Sequence, residues 1–171
     1  DFVPTETGFI PLLAQYPQLY VLRSLTKFFA IPGLRLGYLV SANATLVTQM
    51  KQQREPWTIN AFAALAGEII LQDTHYIEAT HRWLAQEQPR VFSALAALPR
   101  LKVWRPVANY IFIRCTDSQL ALQQALLKHH ILIRHCANYP GLNADYYRVA
   151  IKSPQDNDRL IAALTQILHH G

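Results

Sequence analysis

The chain has 171 residues, 51% hydrophobic and 16% charged, enough for one compact core or two small ones and too evenly mixed for a disordered or collagen-like polymer. Its 16 Lys and Arg against 11 Asp and Glu give a net charge of +5, which suits anionic ligands, but the basic residues are scattered, without the runs or aromatic interleaving of a nucleic-acid module. No apolar run reaches the ~18 residues of a membrane span, no secretory signal opens the chain, and two cysteines make no disulfide framework, so a soluble cytoplasmic protein with buried thiols at Cys115 and Cys136 is expected.

Short apolar runs alternate with helical patterns, which predicts an α/β or α+β fold. Leu19 to Leu22 and Gly37 to Val40 read as buried strands on either side of a turn-rich stretch holding Pro32 and Gly33. Asn43 reads as the cap of a helix carrying Leu46, Val47 and Met50, which stops before Pro56. Residues 60–71 are nearly all apolar or small, the composition of a helix buried on most of its circumference. Residues 74–98 form a longer, more polar helical pattern, with Pro89 as a kink or a new start, of the kind that joins two lobes.

Beyond Pro99 the pattern becomes strand (101–104), strand (109–115), helix (118–129), strand (131–135), strand (146–151) and helix (154–169), a small α+β lobe. The last helix carries the best local signature: Ser153 as cap, Pro154 at the first helical position, Asp156 three after the cap, and Leu160, Ile161, Leu164, Ile167 and Leu168 on one face. No repeat and no glycine-rich phosphate loop is present, and the histidines have no convergent spacing, so no metal site is expected.

One segment, running from Ser24 through Lys27 and Pro32-Gly33-Leu34-Arg35 to Gly37-Tyr38, stands apart. Lys27 between Leu25 and Phe28-Phe29 is expected to be partly desolvated, which frees an amine as a nucleophile toward an aldehyde. The hydroxyls of Ser24 and Thr26 and the forked guanidinium of Arg35 are of the type that holds a phosphate, and Gly33 and Gly37 allow close backbone approach. The plainer alternative is a surface lysine in a strand-to-helix loop.

The order Ser-x-x-Lys followed by Pro-Gly-Leu-Arg-x-Gly-Tyr resembles the lysine segment of the pyridoxal-phosphate enzymes of the class I/II aminotransferase family. Residues 56–61 (Pro-Trp-Thr-Ile-Asn-Ala), 131–142 and 146–151 are similar to the threonine-phosphate decarboxylase branch of cobalamin biosynthesis, and the similarity runs over essentially the whole chain. The resemblance implies the C-terminal part of a fold type I enzyme: the end of a large mixed-sheet α/β domain (1–72), a connecting helix (73–98) and a small α+β domain (99–171). It implies pyridoxal 5'-phosphate as cofactor, bound covalently by Lys27 with Ser24 and Arg35 on its phosphate. A homodimer is implied, with neither nucleic acid nor membrane as partner. The aspartate that meets the pyridine nitrogen is expected upstream of Asp1. With no initiating Met, and Met50 the only one, the chain reads as a piece of a longer polypeptide that is inert alone.

Arg134 and Arg148 each fall in an otherwise apolar strand, where a charge is costly unless paired. A structural ion pair and an anionic ligand are evenly matched for either residue alone. The resemblance places a substrate carboxylate on Arg148, the arginine of the last strand before the C-terminal helix. A decarboxylase must instead free that carboxylate to leave, so the two arginines are expected to clamp the phosphate of L-threonine O-3-phosphate, or to share it with the carboxylate, with Lys27 returning the proton that replaces CO₂. Asn109-Tyr110 reads as structural and Tyr139 as part of a turn. Histidinol-phosphate aminotransferase activity is the enzymatic alternative; a non-catalytic dimerisation or ligand-binding lobe is the alternative from another class.

Overall fold

The computed structural model describes residues 1–3 and 8–170, which form two compact units divided between Thr80 and His81. In the first, β1 (Val21–Ser24) and β2 (Gly37–Val40) pair antiparallel with Val21 opposite Val40 and Ser24 opposite Gly37. A single turn of helix, α1 (Leu25–Phe28), follows β1 directly, and a 3-10 turn (Pro32–Leu34) leads into β2. Helices α2 (Ala44–Gln53) and α3 (Ala61–Ile70) come next, then the start of α4 (Thr74–Ala96).

Asparagines cap both α2 and α3: Asn43 Oδ1 accepts the Leu46 N–H at 2.9 Å and Asn60 Oδ1 that of Ala63 at 2.8 Å. The first strand begins two residues later than its apolar run, because the Leu19 N–H is taken by the Tyr16 carbonyl. The sequence reading of buried strands is not met: β1 alternates half-buried and exposed, with Leu22 78% exposed. Nor is α3 buried all round; Ala63 is its one buried residue, while Phe62, Leu65 and Ile69 are exposed. An apolar circumference specifies a helix that can be covered on every side, and within this unit the described residues cover only one.

The second unit holds most of α4, which continues unbroken through Pro89, and a four-stranded antiparallel sheet in the order β3-β4-β6-β5. The strands are β3 (Leu101–Val103), β4 (Tyr110–Cys115), β5 (Arg134–His135) and β6 (Tyr146–Ala150), with α5 (Leu122–Leu127) and α6 (Pro154–His170) as the other helices. One sheet face carries Ile111, Ile113, Tyr147 and Val149, buried in a single core with Val91 and Leu95 of α4, Leu126 of α5 and Leu164 of α6. Cys115 and Cys136 are buried as expected, and burial pushes the Cys115 thiol up.

Local polar competition trims two predicted elements. Asp117 ties its side chain to the Gln119 N–H and its carbonyl to the Leu120 N–H, so α5 starts at Leu122 rather than Ser118. His130, at φ 59, closes the end of α5 with the Ile131 N–H bonded back to the Leu126 carbonyl, which leaves only Arg134 and His135 to pair as β5. The α6 cap forms as its signature predicts, Ser153 Oγ accepting the Asp156 N–H at 3.2 Å.

Candidate active site

Lys27 sits on the turn of helix that β1 delivers. Leu25, Thr26 and Phe28 point inward and are buried, while Lys27 is exposed, against the expectation of a half-desolvated lysine. In this four-residue helix three positions turn inward, and the lysine holds the one that faces out. Its Nζ donates to Thr26 Oγ1 at 3.1 Å, and Thr26 Oγ1 shares a hydrogen bond with Ser24 Oγ at 2.9 Å. Amine, buried hydroxyl and second hydroxyl are therefore linked in one chain of donors.

The segment is fastened from both sides. Leu25 N–H donates to the Leu36 carbonyl, Asn60 Nδ2 donates to the Leu34 carbonyl at 3.1 Å, and Tyr76 OH reaches the Phe28 carbonyl at 3.3 Å. Phe29 stacks on Tyr76 with ring centroids 5.7 Å apart. Gly37 is required where it stands: a Cβ there would lie 2.6 Å from the Arg23 carbonyl oxygen. Gly33 is not, since nothing lies within 4 Å of its would-be Cβ and its φ is ordinary. The left-handed position of this bend falls on Arg35, at φ 56. Its exposed guanidinium donates to the Pro32 carbonyl at 2.9 Å, has no carboxylate partner among the described residues, and is not bonded to Ser24 or Lys27.

Amine, hydroxyls and a guanidinium with no carboxylate partner among the described residues are, within residues 24–35, a donor set that fits a phosphorylated aldehyde, the chemical class of pyridoxal phosphate.

The second constellation lies on the open face of the four-stranded sheet. Arg134 of β5 stands directly opposite Arg148 of β6, and Phe112 of β4 flanks Arg148 on its other side. Like charges so placed repel, and among the described residues no carboxylate lies within ion-pair reach of either. Arg148 is half-buried and its Nε is fully buried without a hydrogen-bond acceptor. Arg134 is exposed rather than embedded in an apolar strand, because β5 is a two-residue edge strand; its Nη2 donates to Asn138 Oδ1 at 3.2 Å. Both arginines line one cleft of about 460 Å³ with Tyr110, Gln123, His135 and Ala150.

Two neighbours of these arginines, which the sequence reads as structural and as part of a turn, stand against them instead. Tyr110 places its ring 4.5 Å from Arg148 Cζ, and Tyr139 places its ring 5.9 Å from Arg134 Cζ. The strand alternation that puts Tyr110 on the face of Phe112 and Arg114 was the available signal for the first. No local signal marks the second, which depends on how the loop after β5 folds back. The backbone of Asn109, whose carbonyl accepts the Ile151 N–H at 2.9 Å, ties β4 to the end of β6.

The family description "Aminotransferase class I and II" matches residues 1–164. The chain is 54% identical over 98% of its length to threonine-phosphate decarboxylase of Salmonella typhimurium, covering 46% of that protein. Among solved structures, it matches histidinol-phosphate aminotransferase of Clostridium acetobutylicum with a TM-score of 0.89 at 33% identity, over 96% of this chain and 50% of that one. It matches L-threonine-O-3-phosphate decarboxylase of Porphyromonas gingivalis with a TM-score of 0.84 at 26% identity, over 98% of this chain and 52% of that one. The chain thus spans about half the length of the relatives it matches.

Proposed function

The chain belongs to the aminotransferase class I and II family, and from that premise we propose that the protein carrying it is a pyridoxal-phosphate-dependent carboxy-lyase that converts L-threonine O-3-phosphate to (R)-1-aminopropan-2-yl phosphate for cobalamin biosynthesis. The observation that carries the reading is the opposed pair Arg134 and Arg148, two guanidinium groups without a carboxylate partner among the described residues, lining one cleft. Such a pair matches a dianionic phosphate monoester better than a single carboxylate. The 54% identity to a threonine-phosphate decarboxylase supports the same substrate.

In this reading Lys27 binds the cofactor through its amine, and Ser24 and Arg35 hold the cofactor phosphate. Pyridoxal phosphate, when bound, would supply an electron sink for the bond broken at Cα. Arg134 and Arg148 take the charge of the substrate phosphate, or share it with the carboxylate, so that the carboxylate is not held where an aminotransferase would pin it. Thr26, accepting from Lys27 Nζ, orients the amine. Lys27 then delivers to Cα the proton that replaces CO₂. In this reading the protein acts as a homodimer in the cytoplasm.

The test is an assay of the complete, cofactor-loaded protein with two substrates. Release of CO₂ and a primary amine from O-phosphothreonine is expected. A 2-oxoglutarate-dependent transamination of histidinol phosphate, without CO₂ release from O-phosphothreonine, would replace the reading with the aminotransferase that shares this fold. Inertness toward both, with no cofactor absorbance band, would point to a non-catalytic lobe.

A further inference from the structure

Arg148 raises a physical question of its own. It is half-buried, faces a second arginine across the strand pair, and leaves its Nε buried without an acceptor. An arginine in that position is ordinarily fixed by a carboxylate, and among the described residues none reaches it. What does reach it is the face of Tyr110, 4.5 Å from Cζ, the closest approach of a guanidinium to a ring among the described cation–aromatic contacts.

We propose that Tyr110 is the positioning residue of the anion cleft: its ring fixes the guanidinium plane of Arg148 and so sets the direction from which a phosphate monoester is received. The inference rests on the reading of Arg148 as a substrate-binding residue and extends it to the residue whose ring lies over it. A ring face attracts a cation without neutralising it and without using up its N–H donors, so the fork stays available to a ligand. A carboxylate in the same place would occupy those donors. The strand geometry leaves room for the stack, because Tyr110 stands opposite the small Ala150 and diagonal to Arg148 two residues back.

Arg134 is held differently. Its contacts are Asn138 at 3.2 Å and the more distant Tyr139 ring, both from the loop beyond β5, and it is exposed. The cleft thus pairs one arginine of fixed plane with one that follows its loop. The fixed member defines where the anion sits, and the other adds its charge from the facing strand.

The experiment is a double-mutant cycle on the complete, cofactor-loaded protein, read as calorimetric binding of inorganic phosphate and of O-phosphothreonine. Tyr110→Leu is expected to weaken both by roughly tenfold, while Tyr110→Phe, which keeps the ring face and loses the hydroxyl, stays within about twofold of wild type. In an Arg148→Ala background Tyr110→Leu should add nothing, a result that a merely structural role would not produce. If Tyr110→Leu does not fold, Tyr110→Met gives similar volume without a ring face.

Wild-type protein that binds neither ligand, a Leu or Met variant that binds like wild type, a Phe variant as weak as Leu, or an effect of equal size in the Arg148→Ala background would each overturn the inference. CO₂ release by the wild-type protein is scored separately. Phosphate binding with the expected cycle but no decarboxylation would remove the decarboxylase reading and leave the role of Tyr110 standing; decarboxylation with a flat cycle would do the reverse.

Discussion

Arg134 and Arg148 are directly opposed on neighbouring antiparallel strands, two positive charges on one face of a sheet with no carboxylate between them among the described residues. Such a pair costs the fold about 0.2–1 kcal/mol in the absence of a ligand. The cost falls when an anion lies between the two groups.

Arg134→Thr should therefore raise the thermal stability of the protein at low ionic strength, by about 0.5 kcal/mol. Inorganic phosphate should stabilise the wild-type protein more than the variant, and added neutral salt should narrow the gap between them. Thermal unfolding with and without phosphate measures both. A variant that is less stable than wild type in low salt would show that the pair is not under repulsion.

Under the proposed function, Lys27→Ala should abolish turnover of the complete protein, since no other amine stands on the donor chain among the described residues. Thr26→Val removes the hydroxyl that accepts from Lys27 Nζ and bonds Ser24. A hydrogen bond to a charged group contributes about 1.5–3 kcal/mol, so kcat should fall by at least about tenfold, with Thr26→Ser restoring most of it. Steady-state rates at saturating cofactor decide the matter.

The two glycines of the lysine segment should respond in opposite ways. Gly37→Ala drives a methyl group against the Arg23 backbone carbonyl, which cannot swing aside, and should destabilise by about 1–3 kcal/mol. Gly33→Ala meets nothing within 4 Å at an ordinary φ and should be neutral or stabilising by up to about 1 kcal/mol. Urea unfolding of the pair provides the comparison.

In the second unit, Arg90 holds the buried Glu87 carboxylate through Nε at 3.0 Å and Nη2 at 2.7 Å, and Asn157 Nδ2 adds a third bond at 2.7 Å. The Arg90 hydrogen bonds, opposed by burial and aided by Asn157, hold the carboxyl below its ordinary value of 4.5. The folded state therefore binds its proton less readily than the unfolded state. The stabilisation is complete above 4.5 and is lost as pH falls through the lowered folded value. Glu87→Gln should lower the thermal midpoint at neutral pH, and the difference from wild type should shrink on acidification. Asn157→Ala, which also removes bonds to the Lys152 backbone, should cost about 2 kcal/mol.

The lysine segment was legible in the sequence because its donors are contiguous; residues 24–27 meet through bonds spanning two positions at most. The caps Asn43 and Ser153 were legible for the same reason. The opposition of Arg134 and Arg148 was not, because it depends on the register between β5 and β6, and a slip of one residue would put one of them on the core face. The burial of α3 was misjudged since apolar composition reports what a helix can bury, whereas Phe62, Leu65 and Ile69 stay exposed among the described residues. Lys27 was expected between apolar side chains, and its neighbours in sequence are indeed buried, but a helical turn sends them one way and the lysine the other.

The bend before β2 places an arginine where glycine or asparagine would be at ease. A side chain with a Cβ at φ 56 costs roughly 1–2 kcal/mol, and the glycine two positions earlier does nothing to relieve it. Swapping the two, glycine for Arg35 and arginine for Gly33, would give a more relaxed hairpin with the same composition and its cation displaced along the loop. The native order keeps the strain and the charge at one residue, so a stabilising search of this loop would select first against the group proposed to hold an anion.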